Sequence, residues 1–282
     1  MLEIVKLGIL KTGCIGSAPL LEFIINERAE RKDIETRIVG TGASMDKKHC
    51  EDVANSLIDY KPNFVIVVSP NATLPGPTIV RDLFMKNNIP TIVISDTPTK
   101  KIVKNLEAAG FGYIIPEADS MIGARREFLD SVEMALFNSD VIKVLAITGV
   151  FNLIVQSIDK VIQAFKNGKK IALPKITVNA ENSIDASGLQ NPYARSKAMA
   201  AYEIAQRVAS LSSKGCFVIK EWEKYTIIVA AAHEMMRSAA RLADEAREME
   251  KTEDSLNRYP HRKDGAKLHK TRLIEKPEKL DQ

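Results

Sequence analysis

The chain has few of the residues from which metal sites and disulfide frameworks are built. Its 282 residues include three cysteines, which lie far apart and form no Cys-x-x-Cys pair. The four histidines are scattered, and neither a Gly-x-Ser-x-Gly elbow nor a His-Glu-x-x-His pair occurs. We therefore expect no metal site, no disulfide framework and no conventional nucleophile–base pair. The odd cysteine count also fits a reducing compartment.

Long apolar runs are missing as well. No run of about 18 apolar residues occurs, so we expect no membrane-spanning helix and no membrane partner. The N-terminal sequence MLEIVKLGIL lacks the basic, apolar and small-residue regions of a signal peptide. Hydrophobic residues make up 45% of the chain and charged residues 27%, which is ordinary for a globular protein. These features predict a cytoplasmic protein.

The positive net charge is concentrated at the C-terminus. Residues Arg258–Gln282 contain eight Lys or Arg and four Asp or Glu, which accounts for the whole net charge of +4. Two interpretations stay open for this segment: a solvated end, or a surface that meets an acidic ligand or a partner subunit. It has one aromatic residue, Tyr259, and no recognised nucleic-acid-binding motif occurs in the chain, so we expect no nucleic-acid partner.

The first 120 residues alternate between short apolar runs and amphipathic helical patterns. The predicted strands are Lys6–Leu10, Thr36–Val39, Phe64–Val68, Thr91–Ile94 and Tyr113–Ile115. Helices are predicted over 17–31, 46–59 and 77–87, and in a segment that ends near Ala109. Because the strands are apolar on both faces, the pattern predicts an α/β fold, a Rossmann-like parallel sheet with helices on both faces and right-handed crossovers.

The second half is predominantly helical in pattern. Residues 121–166 are predicted to be helical, with a break near Asn138-Ser139-Asp140 and a shorter interruption at Gly149. The run Ile171–Val178 is apolar and β-branched, but Pro174 limits it to an edge strand or an extended segment. Two alanine-rich helices follow, over 193–213 and 221–250.

These patterns divide the chain into three predicted parts. Residues 1–120 form the α/β domain, and residues 121–250 form a mainly helical region, a helix bundle with an extended segment near 171–178. Residues 251–282 form the basic C-terminal segment, in which Asp264-Gly265 is typical of a hairpin turn.

The loops that follow the strands are the candidate ligand site, because open parallel sheets bind ligands beyond the carboxyl ends of their strands. The loop KTGCIGS has two glycines before a helix start, which suits an anion, although the same glycines serve a tight turn. It matches neither a full dinucleotide fingerprint nor a P-loop. The loop SPNATLPGP is unusually rigid for a simple connection. The predicted cofactor-binding residues are Lys11, Thr12, Gly13, Cys14, Ile15, Gly16, Thr41, Gly42, Ser69, Pro70 and Asn71.

Cys14 has a position in which a thiolate is often stabilised, at the start of a helix. A cysteine nucleophile also needs a base, and the sequence places none near it. Nucleophilic catalysis is therefore not the favoured interpretation.

Several long segments resemble one enzyme family in a single register. They are KLGILKTGCIGSAPLLEFIINERAER, IVGTGASM, VVSPNATLPGP, VISDTPTKK, GYIIPEADSMIGARREFLDSVEMALFNSDVIKVLAITG, NPYARSKAMAAYEIA and HEMMRSAARLADEAREMEK. Together with the basic tail they are similar to the coenzyme F420-dependent methylenetetrahydromethanopterin dehydrogenase family over nearly the whole chain. The resemblance implies a cytoplasmic archaeal enzyme of methanogenesis and one-carbon metabolism. It also implies a homohexamer, built as a trimer of dimers.

The implied reaction is a reversible, direct hydride transfer from methylene-tetrahydromethanopterin to the deazaflavin F420, a dissociable cosubstrate. Both carriers supply the chemistry, so a missing triad and metal site are expected. The methenyl product carries a delocalised positive charge, which a nearby carboxylate stabilises. Asp96, Glu117 and Asp119 follow strands at the carboxyl edge of the sheet and are the candidates for this role, although helix capping or ion pairing is the simpler explanation for each. Arg125 and Arg126 are candidates for binding the anionic substrate, or else lie on a solvated helix face.

Two other function classes stay open from the residues alone. A nicotinamide-dependent oxidoreductase needs an acidic residue after the second strand, where this chain has Gly40-Thr41-Gly42. A non-enzymatic, receiver-like assembly module needs an acidic cluster after the first strand and an Asp after the third. Lys11 and Ser69 stand at those positions instead.

Overall fold

Six parallel strands form the central sheet, in a computed structural model that describes residues 4–27, 31–122 and 130–280. The strands are β1 (Val5–Lys11), β2 (Ile34–Gly40), β3 (Phe64–Ser69), β4 (Thr91–Ser95), β5 (Gly112–Pro116) and β6 (Lys175–Val178). Their order in the sheet is β2-β1-β3-β4-β5-β6. The five apolar runs are thus all strands, and β6 is an edge strand that begins directly after Pro174, as predicted.

Helices cover both faces of this sheet. They are α1 (Ser17–Glu27), α2 (Lys47–Ile58), α3 (Pro75–Lys86), α4 (Val103–Ala108), α5 (Ser131–Ile147), α6 (Val150–Lys166), α7 (Ala180–Ala186), α8 (Pro192–Ser213) and α9 (Trp222–Thr252). One core lies between the sheet and α1, α5 and α6, and a second lies between the sheet and α2 and α3. Alternate residues of β3 enter the two cores, because successive strand side chains point to opposite faces. The Rossmann-like α/β prediction is confirmed.

The long helical segment breaks at one of the two predicted places. The break at Asn138-Ser139-Asp140 is wrong, since α5 continues through these residues. Phe137 and Val141 are buried in the main core, and their packing outweighs the weak helix propensity between them. The break does occur at Gly149, where φ is +104° and a Cβ would lie 2.0 Å from the Ser183 carbonyl oxygen.

The two alanine-rich helices pack along each other. Ala201 and Ala205 of α8 lie in the same buried cluster as Ala239, Ala240 and Ala243 of α9. Small side chains let the two backbones approach closely, which a stripe of leucines would prevent. A single π-helical turn, Lys214–Val218, connects α8 to the start of α9.

The C-terminal segment folds back on the helical region. Antiparallel bridges join His261 to Lys267 and Arg258 to Lys270, on either side of Asp264-Gly265. Two short strands, β7 (Leu268–His269) and β8 (Glu278–Lys279), pair with each other. In the described ranges no single helix is long and apolar enough to cross a membrane; α5 and α6 reach that length only as a pair bent by 62°.

Candidate active site at the carboxyl edge of the sheet

The order of the strands places a crevice at the carboxyl end of β1. From β1 the chain crosses to β2 on one side, whereas from β3 it crosses to β4 on the other side, so the strand order reverses between β1 and β3. Ligands of such sheets bind at the point of reversal. The loops after β1, β2 and β3 meet there. The N–H of Thr12 donates to the Val68 carbonyl at 2.8 Å, and that of Gly13 donates to the Gly42 carbonyl at 3.0 Å. The predicted first, second and third loops are therefore in contact.

Gly13 is the centre of this contact. Its φ of +78° lies in the left-handed region, where an L side chain is strained. A Cβ at this position would also lie 2.9 Å from Cδ of Pro70, which follows β3. The glycine therefore lets the first loop turn tightly against the third.

The N-terminus of α1 is already occupied by a carboxylate of the protein itself. The N–H of Gly16 donates to Asp119 Oδ1 at 2.7 Å, and the N–H and hydroxyl of Ser17 donate to Oδ2 at 2.9 and 2.5 Å. Asp119 follows β5 and is fully buried. An external anion at these N–H groups, as predicted from the glycines, would have to displace it.

Burial shifts the titration of two carboxyls at this edge. Burial raises the pKa of Asp119 to about 6, and the donors on Ser17 and Gly16 limit the increase because they favour the ionised form. Burial also raises the pKa of Asp96 to about 8, and the negative charge of Asp119 adds to this shift. Asp96 caps the 3₁₀ helix Thr97–Ile102 through the N–H of Thr97 at 2.5 Å. Near neutral pH the edge thus holds one ionised and one largely protonated carboxyl.

Glu117 has different partners. Its carboxylate forms an ion pair with Lys100 and accepts a hydrogen bond of 3.3 Å from the Gln206 side chain on α8. It therefore links the helical region to the sheet edge. Lys100 and Gln206 were not predicted, because no local spacing relates them to Glu117.

The loop after β3 is held by buried hydroxyls. Ser95 Oγ donates to the Ser69 carbonyl at 2.7 Å, and the Thr99 hydroxyl bonds to Ser95 at 2.7 Å. Ser95 and Thr99 also accept from the N–H of Ala72. Asn71 accepts from the N–H and hydroxyl of Thr73, which closes an Asx turn. Ser69 is itself fully buried, so its side chain supports the loop from below.

A cavity of about 470 Å³ opens beside the first loop. Its lining residues come from β1, β2, α1 and their loops: Lys11, Gly13, Cys14, Ala18, Pro19, Glu22, Ile38, Val39, Gly40, Gly42 and Ile122. Lys11 forms an ion pair with Glu22 across this cavity. A Cβ built on Gly42 would meet nothing within 4 Å, so the backbone there is open to a ligand. We call this space the strand-end cleft.

The surroundings of Cys14 do not activate its thiol. Burial raises the pKa of the Cys14 thiol above its ordinary value, and the charge of Lys11 only partly opposes this effect. The expected stabilisation of a thiolate at the helix start is therefore wrong, because burial and the nearby Glu22 carboxylate favour the neutral thiol. In the described part of the chain, no group of three or more His, Cys, Asp or Glu side chains is arranged to hold a metal ion.

The structure thus brings most of the predicted residues to one edge of the sheet. Some of them line the cleft, and others are buried beneath it. Lys11, Gly13, Cys14 and Gly42 line the strand-end cleft, whereas Thr12, Ile15 and Ser69 are buried supports. The hydroxyl of Thr41, on the second loop, bonds to the Ser44 carbonyl. Glu22 was missed, because no regular sequence spacing identifies an ion pair between the end of a strand and the helix that follows it. Arg125 and Arg126 lie outside the described residues.

Comparisons with known proteins agree along the full length. The family profile described as methylene-5,6,7,8-tetrahydromethanopterin dehydrogenase matches residues 5–278. F420-dependent methylenetetrahydromethanopterin dehydrogenases from Archaeoglobus fulgidus and Methanocaldococcus jannaschii are 56% and 49% identical to this chain, over 98% of it and 100% of each relative. A solved structure of such an enzyme, in complex with methylene-tetrahydromethanopterin and coenzyme F420, superposes with a TM-score of 0.92. It is 42% identical and covers 98% of this chain and 100% of its own.

Proposed function

Because this chain belongs to the F420-dependent methylenetetrahydromethanopterin dehydrogenase family, we propose that the carboxyl edge of its sheet is where the family's two carriers meet. The enzyme transfers a hydride reversibly from the methylene carbon of methylene-tetrahydromethanopterin to F420. The hydride carries both electrons, and a proton from solvent completes reduced F420. The pterin is left as the positively charged methenyl product. The observation that carries this function is the full-length match to relatives and to a solved complex with both carriers.

The strand-end cleft has the chemistry to receive one of the two carriers. Its walls combine apolar side chains from β2 and α1 with exposed backbone at Gly42, where a flat ring system can lie against the main chain. Lys11 stands at the rim, and an anionic tail would compete with Glu22 for it. F420 supplies the ring that accepts the hydride; the residues of the cleft hold and orient it. Arg125 and Arg126 remain proposed contacts for the substrate.

We assign the charge-stabilising role first to Asp96 and Asp119. The charge of Asp119 raises the pKa of Asp96, so a cation near the pair favours release of the Asp96 proton to solvent and leaves a second buried negative charge. Such a charge favours the methenyl product and the transition state that leads to it. Glu117 is the weaker candidate, because Lys100 already neutralises it.

The reaction is tested by the loss of the visible absorption of oxidised F420. Protein, F420 and methylene-tetrahydromethanopterin are mixed, with NAD and NADP in parallel tubes. We expect bleaching that requires the protein and both carriers. Activity with a nicotinamide in place of F420 would instead support the nicotinamide-dependent class, and a folded protein inactive with every carrier would support the assembly module.

The carboxylate assignment is tested separately with Asp96→Asn. We expect kcat to fall by about tenfold or more, equivalent to about 1.4 kcal/mol in the barrier, with a smaller change in KM. Asp52→Asn is the matched control, since Asp52 is exposed on α2. Equal kcat values for the two variants would remove Asp96 from the mechanism.

The assembly and the location rest on the family resemblance. We propose a homohexamer, and the structure supports self-association with a group of exposed apolar side chains at the α8–α9 connection. They are Phe217, Val218, Trp222 and Ile227, each more than half exposed. Cell fractionation tests the proposed cytoplasmic location.

A further inference from the structure

A second cavity lies away from the strand-end cleft and shares no lining residue with it. Its volume is about 510 Å³, and it lies between the α5 end, the first half of α6, the C-terminal part of α9 and the C-terminal segment. The residues that line it are Ala146, Ile147, Phe151, Asn152, Val155, Gln156, Ser187, Arg247, Asn257, Arg258, Tyr259, Pro260, Lys267 and Lys270. We call it the tail cavity. Its size is in the range of small-molecule sites.

The charges of the tail cavity all have one sign. Four of the described lining residues are basic, and none of them is acidic. All four basic side chains are partly buried, so water screens them less than it screens surface charges. Three of the four come from the basic C-terminal segment, which the hydride-transfer reaction does not explain.

Arg247 is the basic residue of the tail cavity whose side chain has the most capacity to bind an anion. Within the described ranges, its guanidinium makes no hydrogen bond and no ion pair, although such groups are normally paired when removed from water. Burial lowers the pKa of Arg247 and the positive charge of Arg258 lowers it further, while the carboxylates of Glu248 and Glu250 partly oppose this shift. A bound oxyanion would add hydrogen bonds that the described residues do not supply to this guanidinium.

The other three cations are held in place. Arg258 donates to the Leu256 carbonyl at 3.1 Å, and Lys270 donates to the Leu273 carbonyl at 3.1 Å. The Lys267 ammonium lies 4.8 Å from the centre of the Tyr259 ring. Arg258 Nη1 also donates to the Thr271 carbonyl. Within the described residues, each of the three side chains keeps further N–H donors available for a ligand. Among the described residues, the carboxylate that acts on Lys267 is that of Asp159, which also lies 2.7 Å from His261 Nε2.

Part of the lining of the tail cavity is apolar. Ile147, Phe151 and Val155 form this part, which we call the apolar floor, and Tyr259 adds an aromatic ring to the lining. A free inorganic ion would leave this surface facing water, whereas a ligand with an apolar group would cover it. The cavity therefore combines four basic side chains, which suit a doubly charged oxyanion, with an apolar floor, which suits a small apolar or aromatic group.

We propose that the tail cavity is a binding site for an organic dianion, a phosphate monoester or a dicarboxylate that bears an apolar group, and that Arg247 is its principal anion contact. Such a ligand bridges α6, α9 and the C-terminal segment. It therefore stabilises the docking of this segment.

The test is calorimetric titration of the full chain, without substrate or F420, at matched ionic strength. The probes are inorganic phosphate, phenyl phosphate and phthalate. We expect phenyl phosphate or phthalate to bind at least about tenfold more tightly than inorganic phosphate. Only the two aromatic probes carry a ring that covers the apolar floor. The tighter of the two aromatic probes identifies the phosphate or the carboxylate source.

Arg247→Gln is the decisive variant, and Arg241→Gln is its matched control. Both remove one arginine charge from α9, but Arg241 is exposed and outside the cavity. We expect Arg247→Gln to weaken binding about tenfold or more and Arg241→Gln to change it less than twofold. Lys270→Gln provides a second variant in case Arg247→Gln does not fold.

Three results would overturn the proposal. They are no binding of any probe to the unmodified chain, equal weakening by both arginine variants, or a change in molecular mass with Arg247→Gln, which would make the cavity a contact between copies. The measurement needs no catalytic activity, so its outcome is independent of the proposed reaction.

Discussion

At the scale of single residues, Gly13 and Gly42 form a natural pair for comparison. Both have positive φ, of +78° and +62°. A Cβ at Gly13 would press on Pro70, whereas a Cβ at Gly42 would meet nothing within 4 Å. Any L residue at either position incurs about 1 to 2 kcal/mol of backbone strain. Only Gly13 adds a steric clash to it.

We therefore expect Gly13→Ala to lower the free energy of unfolding by about 3 kcal/mol and Gly42→Ala by about 1 kcal/mol. Chemical denaturation of both variants measures the difference. Gly42→Ala should instead raise the KM for F420, since its methyl group projects into the strand-end cleft. Equal losses of stability would show that the first loop moves away from Pro70 and so relieves the clash.

Asp96 gives a prediction for pH. Its pKa is raised from an ordinary 3.8 to about 8, so between these values the folded protein holds a proton that the unfolded chain has released. The contribution of this group to the free energy of unfolding therefore decreases as pH rises, by at most about 1.4 kcal/mol per pH unit. Asp119 acts in the same direction only up to about pH 6.

Asp96→Asn should consequently flatten the dependence of the free energy of unfolding on pH between about 6 and 8. The amide keeps an oxygen that accepts from Thr97, so the cap is preserved. Denaturation curves at several pH values in this window provide the measurement, with Asp52→Asn as the control. A variant with the slope of the unmodified protein would mean that Asp96 titrates normally.

Some residues of the candidate site could be predicted from the sequence because they carry local signals, and others could not. Gly13, Gly16 and the loop after β3 were found because strand ends and glycine turns have local signatures. The actual role of Asp119 was not found, since its partners lie more than a hundred positions away. The contacts of Glu22 with Lys11 and of Gln206 with Glu117 were not found either, because they depend on how the elements come together.

At the scale of elements, the α8–α9 contact depends on small side chains. Ala205 is fully buried in the cluster with Ala239 and Ala243, whereas Ala200 is exposed on the same helix. Leucine has good helix propensity, so a substitution at either position tests packing rather than helix formation.

We expect Ala205→Leu to destabilise the protein by about 1 to 3 kcal/mol and Ala200→Leu to leave it within about 0.5 kcal/mol. Thermal unfolding followed by circular dichroism gives both values. A neutral Ala205→Leu would indicate that the helices separate without cost.

The elements differ in how well their patterns identify them. Strands such as β3 are unmistakable, since FVIVV is apolar on both faces and bounded by turn residues. The helix α7 was missed, because it has seven residues and its capping box pairs Asn179 with Asn182 rather than with Glu or Gln. The helix α5 continues without a break because its residues pack in the core. Helix propensities do not include this packing, so the sequence did not predict it.

At the scale of the whole molecule, the exposed apolar side chains at the α8–α9 connection predict the assembly surface. Trp222 and Ile227 are 63% and 72% exposed. The double variant Trp222→Glu/Ile227→Glu should lower the molecular mass measured by light scattering, because buried carboxylates disfavour the contact. Ile274→Glu is the control, as Ile274 is 92% exposed but belongs to the C-terminal segment. The same mass for all three proteins would place the interface elsewhere.

The bonds from Gly16 and Ser17 to Asp119 have a consequence for biosynthesis. They join residues 103 and 102 positions apart, so the chain between them must be closed into a loop before they form. A ribosome releases the first loop early, but its acceptor appears only when β5 has been made. Until then, that loop has no partner for the first turn of α1. The region that is translated first thus depends on a residue made much later, and an arrested chain that stops short of Asp119 should bind neither carrier.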